Sequence, residues 1–407
     1  MKRVLIIVAA VIVLIGIGLG IYFLFFAPKA AHLITSSNPF DNTASGNVAN
    51  GTSNSNGGTN AGTIVAPNFV KITDGPVSEG FVATDVMIPD PAAVVSSTSS
   101  STPKIPDVDI HYIDRASGNI YSYLAHTRTL TRRSNKTLPG IQEASWLSNG
   151  SIAYVRFLTK DTTTGDEHIS TYALPENGEG GYFLESDLAE ARTASSTGLF
   201  TLLTSTNGSV GTIAKYDGTN PRTLFTSLIT SLVVYPAGGG YFAHTKASSE
   251  TDGYGFQITS AGSFNRILGP LNGLTLLPSP SGRSILYSYV DSGTVHLAVL
   301  SIANHTATAL PLPTLTEKCV WGDEVTVYCG VPTNMTGNLP DDWYQGAVPF
   351  SDRIWRIDMT ARVATLVVDP TQVAKTALDA VDLTVDPHED VLVFTDKKTG
   401  SLWMYDL

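Results

Sequence analysis

The sequence predicts an all-β domain of short antiparallel strands carried behind one membrane-spanning helix, and three observations predict it. Of the 407 residues, 43% are hydrophobic and only 15% charged, with 36 glycines and 22 prolines scattered along the chain; this is a turn-rich composition with enough apolar material for a core. From Phe69 onward, short runs of β-branched and aromatic residues recur between turn signals such as SNG, TNG, SPSG and KKTG, as expected of strands joined by tight turns. Residues 4–27 form one uncharged apolar run, which at about 1.5 Å per residue is long enough for a helix to cross a hydrocarbon core of roughly 30 Å.

That run, VLIIVAAVIVLIGIGLGIYFLFFA, exceeds the apolar segment of about 7 to 15 residues in a cleaved signal peptide, and the FFAPKA at its end is a poor cleavage site. Residues 1–30 therefore read as an uncleaved signal-anchor. Lys2 and Arg3 on its short N-terminal side predict a cytoplasmic N-terminus and an extracytoplasmic remainder, single-pass in the cell membrane. Gly16 and Gly20 give a GxxxG spacing, at which two such helices can approach closely. Residues 31–67 are mostly Ser, Asn, Gly and Thr, with too little to bury for independent folding, and read as a flexible tether. A second stretch of this kind, VSSTSSSTPKIPD from Val95 to Asp107, interrupts the folded region. The formal net charge of -11 argues against nucleic acid, which requires a basic footprint. The expected partners are the membrane, through residues 4–27, and a protein, peptide or cell-wall ligand.

Between residues 68 and 407 three kinds of segment recur. One is a turn followed by an apolar strand, as in WLSNGSIAYVRF at Trp146, LPSPSGRSILYSYV at Leu277 and VDPHEDVLVFTD at Val385. Another is an aromatic strand behind a reverse turn, as in RASGNIYSYL, DSGTVHLAVL and KTGSLWMYDL. The third links one unit to the next, as in TRTLTRRSN, PRTLFTS and VATLVVD. At about 45 to 50 residues per unit this is the pattern of a β-propeller built from four-stranded blades. Innermost strands are expected to begin near Glu79, Glu143, Ser196, Thr230, Asn272, Glu317 and Asp379, which makes seven blades, with six or eight as alternatives. The last unit ends at GSLWMYDL without an outermost strand, while NFVKITDG (Asn68 to Gly75) has no blade before it. The N-terminal strand is therefore expected to complete the C-terminal blade and hide two sheet edges. TQVAKTALDA (Thr371 to Ala380) is the best candidate for a helix in this region.

The segments WLSNGSIAY and PSPSGRSILY, with their T-x-x-L-T linkers, resemble bacterial TolB-type and WD40-like propellers, and the propeller that precedes the hydrolase in prolyl oligopeptidase relatives. The likeness spans about residues 68–407. It implies a propeller fold and an anchored envelope protein, whereas function has to be argued from the site. TolB-type propellers usually have six blades, which departs from the count of seven.

No G-x-S-x-G elbow, H-E-x-x-H, C-x-x-C or P-loop is present, so no complete catalytic constellation is visible and no cofactor is called for. His168, His244, His296 and His305 fall in different units. Glu79, Glu143, Glu317 and Asp379 open four of the inner strands and would surround one channel mouth, where carboxylates can hold a metal or a cationic ligand or act as an acid/base pair. The insertion between the strands VTVYCGV and DRIWRID carries Asp341, Asp342, Trp343 and Tyr344. It is either a recognition loop, with aromatic anchors and acids selecting a basic partner, or a lid packed on the blade with its aspartates capping a turn. Cys319 and Cys329 are the only cysteines, and an oxidising compartment favours a disulfide between them. A hairpin turning at Gly322 and Asp323 would instead oppose Cys319 to Thr326, so the bridge needs a wider turn or a bulge; two buried thiols are the other outcome. The function expected is an anchored binding or scaffold module, with a propeller hydrolase or lyase using channel-mouth carboxylates, with or without a divalent metal, as the alternative.

Overall fold

A computed structural model describes residues 68–93, 103–195 and 197–407. The anchor, the tether, Gly16 and Gly20, the Ser/Thr-rich part of the Val95–Asp107 stretch and Ser196 lie outside the described residues.

Strand β1 (Phe69–Lys71) stands apart from the strands that follow it in sequence. β2 (Val82–Pro89), β3 (Lys104–Ile113), β4 (Ile120–Leu124) and β5 (Thr129–Arg132) pair in order as one sheet. The next sheet is β6 (Ile141–Trp146), β7 (Ile152–Lys160), β8 (Glu167–Pro175) and β9 (Tyr182–Phe183), and the third is β10 (Leu188–Ser195), β11 (Gly198–Ser205), β12 (Gly208–Lys215) and β13 (Arg222–Ser227). β14 (Leu232–Ala237), β15 (Gly240–Thr245), β16 (Asp252–Ile258), β17 (Phe264–Pro278), β18 (Ser284–Asp291), β19 (Thr294–Ser301) and β20 (Thr306–Ala309) form a single seven-stranded sheet. The 15 residues of β17 pair first with β16 and then, beyond Asn272, with β18. β21 (Cys319–Trp321), β22 (Thr326–Pro332), β23 (Asp352–Asp358) and β24 (Val363–Val368) make the next sheet, and β25 (Ala380–Val385), β26 (Val391–Asp396) and β27 (Leu402–Asp406) the last. β1 completes that last sheet by pairing antiparallel with β27, Phe69 opposite Tyr405 and Lys71 opposite Trp403. The expected closure by the N-terminal strand is thus present.

The sheets close into a ring through their first strands. Gln142 O accepts from Glu79 N at 3.0 Å and Glu79 O accepts from Ala144 N at 2.7 Å, which joins the segment leading into β2 to β6. β6 neighbours β10, β10 neighbours β14, β21 neighbours β25, and β25 returns to β2. An apolar layer fills the space between successive sheets. Ile113, Ile120, Ile141 and Phe157 fill one such space, Phe200, Phe225 and Val234 another, and Val108, Ile110, Val391 and Met404 the one between the last sheet and the first. Because the middle strands are covered on both faces, they read as nearly continuous apolar runs instead of alternating ones; VLVFTD of β26 is buried at every residue. Tryptophan indoles add polar ties between neighbours, Trp146 Nε1 donating to Gly80 O at 3.3 Å and Trp321 Nε1 to Leu277 O at 3.2 Å.

Two sequence expectations need correction. The third inner strand does not begin near Ser196: it is β10, which already starts at Leu188 and ends at Ser195. Its sequence LAEARTAS hides it, because the ion-paired Glu190 and Arg192 break up the apolar run that marks a strand. The Thr371–Ala380 helix is reduced to one turn, α2 (Pro370–Val373), which follows a turn α1 (Asp341–Tyr344) inside the insertion. Asp369 caps α2 by accepting from Thr371 N at 3.0 Å, and Lys375 at φ 55° ends the helical geometry.

Candidate functional site

The insertion between β22 and β23 folds over the start of β21 and β25. Trp343 of α1 is buried with Leu315, Leu339 and Phe350; its ring stacks on Phe350 at 6.0 Å between centroids, and its indole donates to Asp379 at 3.1 Å. Beneath it lies Lys318, whose side chain is fully enclosed. The ammonium sits 2.6 Å from Asp379 Oδ1 and 2.8 Å from Asp352 Oδ2, and donates to Ala380 O at 2.9 Å. A buried ammonium is tolerable only when its donors are taken up in this way. One cation for two carboxylates leaves the pair unequal. Burial lifts the Asp352 carboxyl to about 6 against the pull of Lys318. At Asp379 burial also pushes upward, but Lys318, the Phe350 amide and the Trp343 indole outweigh it and hold the carboxyl below its ordinary value.

Asp379 therefore does not face the channel, as the sequence suggested, but anchors the insertion from within the core. The channel-facing acid of that strand is Asp382. A register shift between Val381 and Thr384, with Asp382 itself at φ 59°, turns its carboxylate inward, the kind of re-aiming that β-bulges produce. It accepts a hydrogen bond from Gly80 N across the ring seam. The two loop aspartates are fasteners as well. Asp341 Oδ2 accepts from Ser249 N at 2.6 Å and from Ser249 Oγ at 2.7 Å, which ties the insertion to the turn after β15. Asp342 Oδ2 accepts from Asn338 N at 2.8 Å within the loop. Of the four loop candidates, Tyr344 is the one left exposed, and its hydroxyl donates to Glu317.

Glu79, Glu143, Glu317 and Asp382 line a central cavity of ≈ 360 Å³ together with Arg192 and Tyr235. A second cavity of ≈ 640 Å³ shares Arg192, Tyr235 and Glu317 with it and adds His244, Lys246 and Tyr344. Burial raises the carboxyls of Glu79, Glu317 and Asp382 above their ordinary values. For Glu79 the neighbouring Asp382 and Glu143 add to the rise; for Glu317 the Tyr344 hydroxyl offsets it only in part. Glu190, behind Arg192, is raised by burial despite its 3.2 Å contact with that guanidinium. Glu143 is paired with Arg156, which also donates to Leu188 O at 3.0 Å. Arg192 lies over the Tyr235 ring at 4.9 Å from its centroid. His244 is buried and donates from Nδ1 to Thr245 O at 2.8 Å, and burial lowers its pKa to about 4, so the imidazole is neutral with its lone pair on Nε2.

Cys319 and Cys329 are joined by a disulfide, directly opposite one another on β21 and β22 with their Cα atoms 4.1 Å apart. The turn is the wider one that the bridge requires: Gly322 N donates to Thr326 O at 2.9 Å, and Asp323 accepts from Val325 N and Thr326 N at 2.8 and 2.6 Å. Cys319 lies on the wall of the central cavity, so the bridge pins the strand that follows Glu317. Among the other histidines, His168 pairs with Asp187 at 3.0 Å on an exposed hairpin, His296 stacks on Tyr289 and His305 occupies an exposed turn. Among the described residues, the three side chains whose ligand atoms come within 4.8 Å of one another are Asp85, Asp386 and His388, at the seam between the first and last sheets and away from the lining of the central cavity.

No family model and no curated protein matches the sequence. Among solved structures, an oligogalacturonate lyase from Vibrio parahaemolyticus is similar at a TM-score of 0.49 and 8% identity, over 81% of this chain and 98% of that one. The β-propeller domain of Cps50 (Swd1) from Myceliophteria thermophila aligns at 0.43 and 12%, over 74% and 93%. A puromycin-hydrolyzing peptidase of Mycobacterium tuberculosis aligns at 0.46 and 11%, over 77% of this chain and 50% of that one. Identities this low carry no function across, and the propeller-like architecture here rests on the strand pairing itself.

Glu190, Arg192, Lys318 and Asp382 were not among the sequence candidates. Lys318 had a legible signal, a charged residue directly before the Cys319–Trp321 strand. Asp382 had none, because only the bulge turns it inward.

Proposed function

We propose that this chain is a single-pass, membrane-anchored protein whose extracytoplasmic domain, a seven-bladed propeller when the seven-stranded sheet is counted as two blades, binds an envelope protein or peptide through a positively charged group held in its central channel. The observation that carries this reading is the acidic lining: Glu79, Glu143, Glu317 and Asp382 converge on one cavity, and three of them are held above their ordinary carboxyl range by burial. A cation placed among them relieves both the mutual repulsion and the desolvation of the carboxylates. The cavity volume of ≈ 360 Å³ suits an ammonium or guanidinium on a side chain, within the usual range for ligand pockets of about 300–1,000 Å³. Among the described residues, the group of three ligand atoms, Asp85, Asp386 and His388, lies outside this lining.

The test is titration calorimetry on the full-length chain in detergent with spermidine and with a lysine-rich peptide at low and high salt. Saturable binding that weakens with salt and drops at least tenfold in Glu317→Gln is expected; the absence of saturable binding by either probe at low salt overturns the reading. A hydrolase or lyase reading is favoured by one feature, the raised Glu317 carboxyl hydrogen-bonded to Tyr344, a pair suited to proton transfer. Metal analysis of the purified chain separates the two, because a stoichiometric, tightly held ion would favour the enzyme.

A further inference from the structure

We propose that Lys318 and Asp352 condense into an intramolecular amide, with Asp379 as the base that takes the lysine proton, so that the ion triad beneath the insertion is the substrate of a self-catalysed cross-link. These residues lie outside the lining of both cavities, so the cross-link stands or falls apart from the channel reading.

Four parts of an acyl-transfer site meet here. The nucleophile is Lys318 Nζ, held 2.8 Å from Asp352 Oδ2 and thus beside the carboxyl carbon, a placement that removes most of the entropic barrier to attack. The electrophile is the Asp352 carboxyl, which burial lifts to about 6 and so holds closer to its neutral form, the form an amine can acylate itself on. The base is Asp379, whose Oδ1 accepts from Nζ at 2.6 Å; the Trp343 indole and the Phe350 amide donate to its Oδ2 at 3.1 and 3.0 Å and keep it ionised. The oxyanion donor is Ala380 N, which donates to Asp352 Oδ2 at 2.6 Å. The other oxygen, Asp352 Oδ1, is shielded from solvent and has no hydrogen-bond partner among the described residues, as suits a leaving group.

The step balances without a co-reactant. Nζ gives one proton to Asp379 and its lone pair attacks Asp352 Cγ; the electron pair moves onto Oδ2, facing Ala380 N. The Cγ–Oδ1 bond then breaks, and Oδ1, carrying the acid's own proton and a second one from the nitrogen, departs as water. The products are a neutral amide, water and a protonated Asp379, and the remaining N–H keeps its acceptor, Ala380 O at 2.9 Å. Desolvation favours this outcome, because a buried ion pair is exchanged for a neutral group. The Trp343 and Phe350 rings cover Nζ at 5.1 and 5.4 Å from their centroids and keep out the water that would reverse it.

Ion triad and amide fasten the insertion at the same residues, so mass separates them where stability does not. The experiment is intact mass spectrometry of the full-length chain, purified in detergent, then unfolded and reduced. Wild type is expected to be lighter than its sequence by one water. Trypsin cannot cut after an acylated lysine, and no other lysine or arginine lies between Lys318 and Arg353, so residues 284–353 should appear as one peptide whose fragmentation places the loss across Lys318 and Asp352. Lys318→Arg keeps the cation without the nucleophilic amine and should have its full mass. Wild type at full mass, with trypsin cutting after Lys318, overturns the cross-link. Loss of water that persists in Lys318→Arg overturns it as well, and a link to Asp379 in place of Asp352 overturns the assignment of acid and base.

Discussion

Replacing Lys318 with methionine tests the buried anchor of the insertion most directly. The side chain is fully enclosed, and its loss leaves Asp352 and Asp379 within the core with no cation between them. Breaking such a pair on one side costs about 3–5 kcal/mol, most of it the uncompensated charge that remains. The unit Val65–Leu407 has roughly 340 residues, so its unfolding entropy near 60 °C is about 0.7 kcal/mol/K and a loss of about 4 kcal/mol lowers Tm by about 6 °C. Differential scanning calorimetry and guanidinium titration followed by tryptophan fluorescence measure this. Trp343 reports the same event locally, because its indole is hydrogen-bonded to Asp379. The triple variant Lys318→Met, Asp352→Asn, Asp379→Asn removes the stranded charge along with the cation and should recover at least half of the loss. A single variant within about 1 kcal/mol of wild type, or a triple variant no better than the single, would refute the assignment of this triad as the fastening of the insertion.

Acidification should stabilise the domain before it destabilises it. Glu79, Glu190, Glu317 and Asp382 have carboxyls raised by burial, so the folded state binds protons more readily than the unfolded one. Their contribution is complete below the unfolded values of about 3.9–4.3 and is lost as pH rises through the folded ones. Asp109 and Asp379 are lowered, burial notwithstanding, and their contribution is lost as pH falls below about 4. Tm should therefore be higher at pH 5.5 than at pH 8 and decline again below pH 4; Glu317→Gln should flatten the upper limb, and a Tm rising steadily from pH 5 to 8 would contradict the channel electrostatics. Opening the Cys319–Cys329 bridge with both cysteines changed to serine should cost about 2–3 kcal/mol, given a short closed loop, and thiol titration of unfolded, unreduced chain should find no free thiol. Asp341→Ala removes two hydrogen bonds to Ser249 and should cost about 1.5–3 kcal/mol, with protease nicking in the insertion appearing ahead of global unfolding.

The strand rhythm was legible because both faces of each middle strand are covered, which makes apolar runs such as VTVYCGV and VLVFTD stand out between turn signals. The closing strand was legible from what each terminus lacked, and Phe69 does stand opposite Tyr405. Where burial is achieved by charge the sequence misleads. LAEARTAS is an inner strand whose inward residues neutralise each other, Glu190 with Arg192, and a search for apolar runs passes over it. The site was half legible for a related reason. Glu79, Glu143 and Glu317 do line the cavity, but counting to the first polar residue of the last inner strand selects Asp379, whereas a bulge three residues on supplies the carboxylate that faces the channel.

The insertion and the channel are one mechanical unit, and adjacent residues on each side show why. Glu317 meets the channel while Lys318 points into the core; facing them, Tyr344 reaches Glu317 and Trp343 packs over the Lys318 triad. Each neighbouring pair divides its work between water and core. The buried half has no freedom, since Trp343, Lys318, Asp352 and Asp379 are each 3% exposed or less. The position of the Tyr344 hydroxyl relative to Glu317 is thus set by a clamp that lies outside the lining of both cavities. Loosening the clamp should change ligand affinity without altering any residue that contacts the ligand. Trp343→Phe, which keeps the ring but loses the indole donor to Asp379, is the mildest such change. It should weaken binding of a lysine-rich peptide severalfold while shifting Tm by no more than about 3 °C. Unchanged affinity in that variant would mean that Tyr344 holds its place without the clamp, and that insertion and channel act independently.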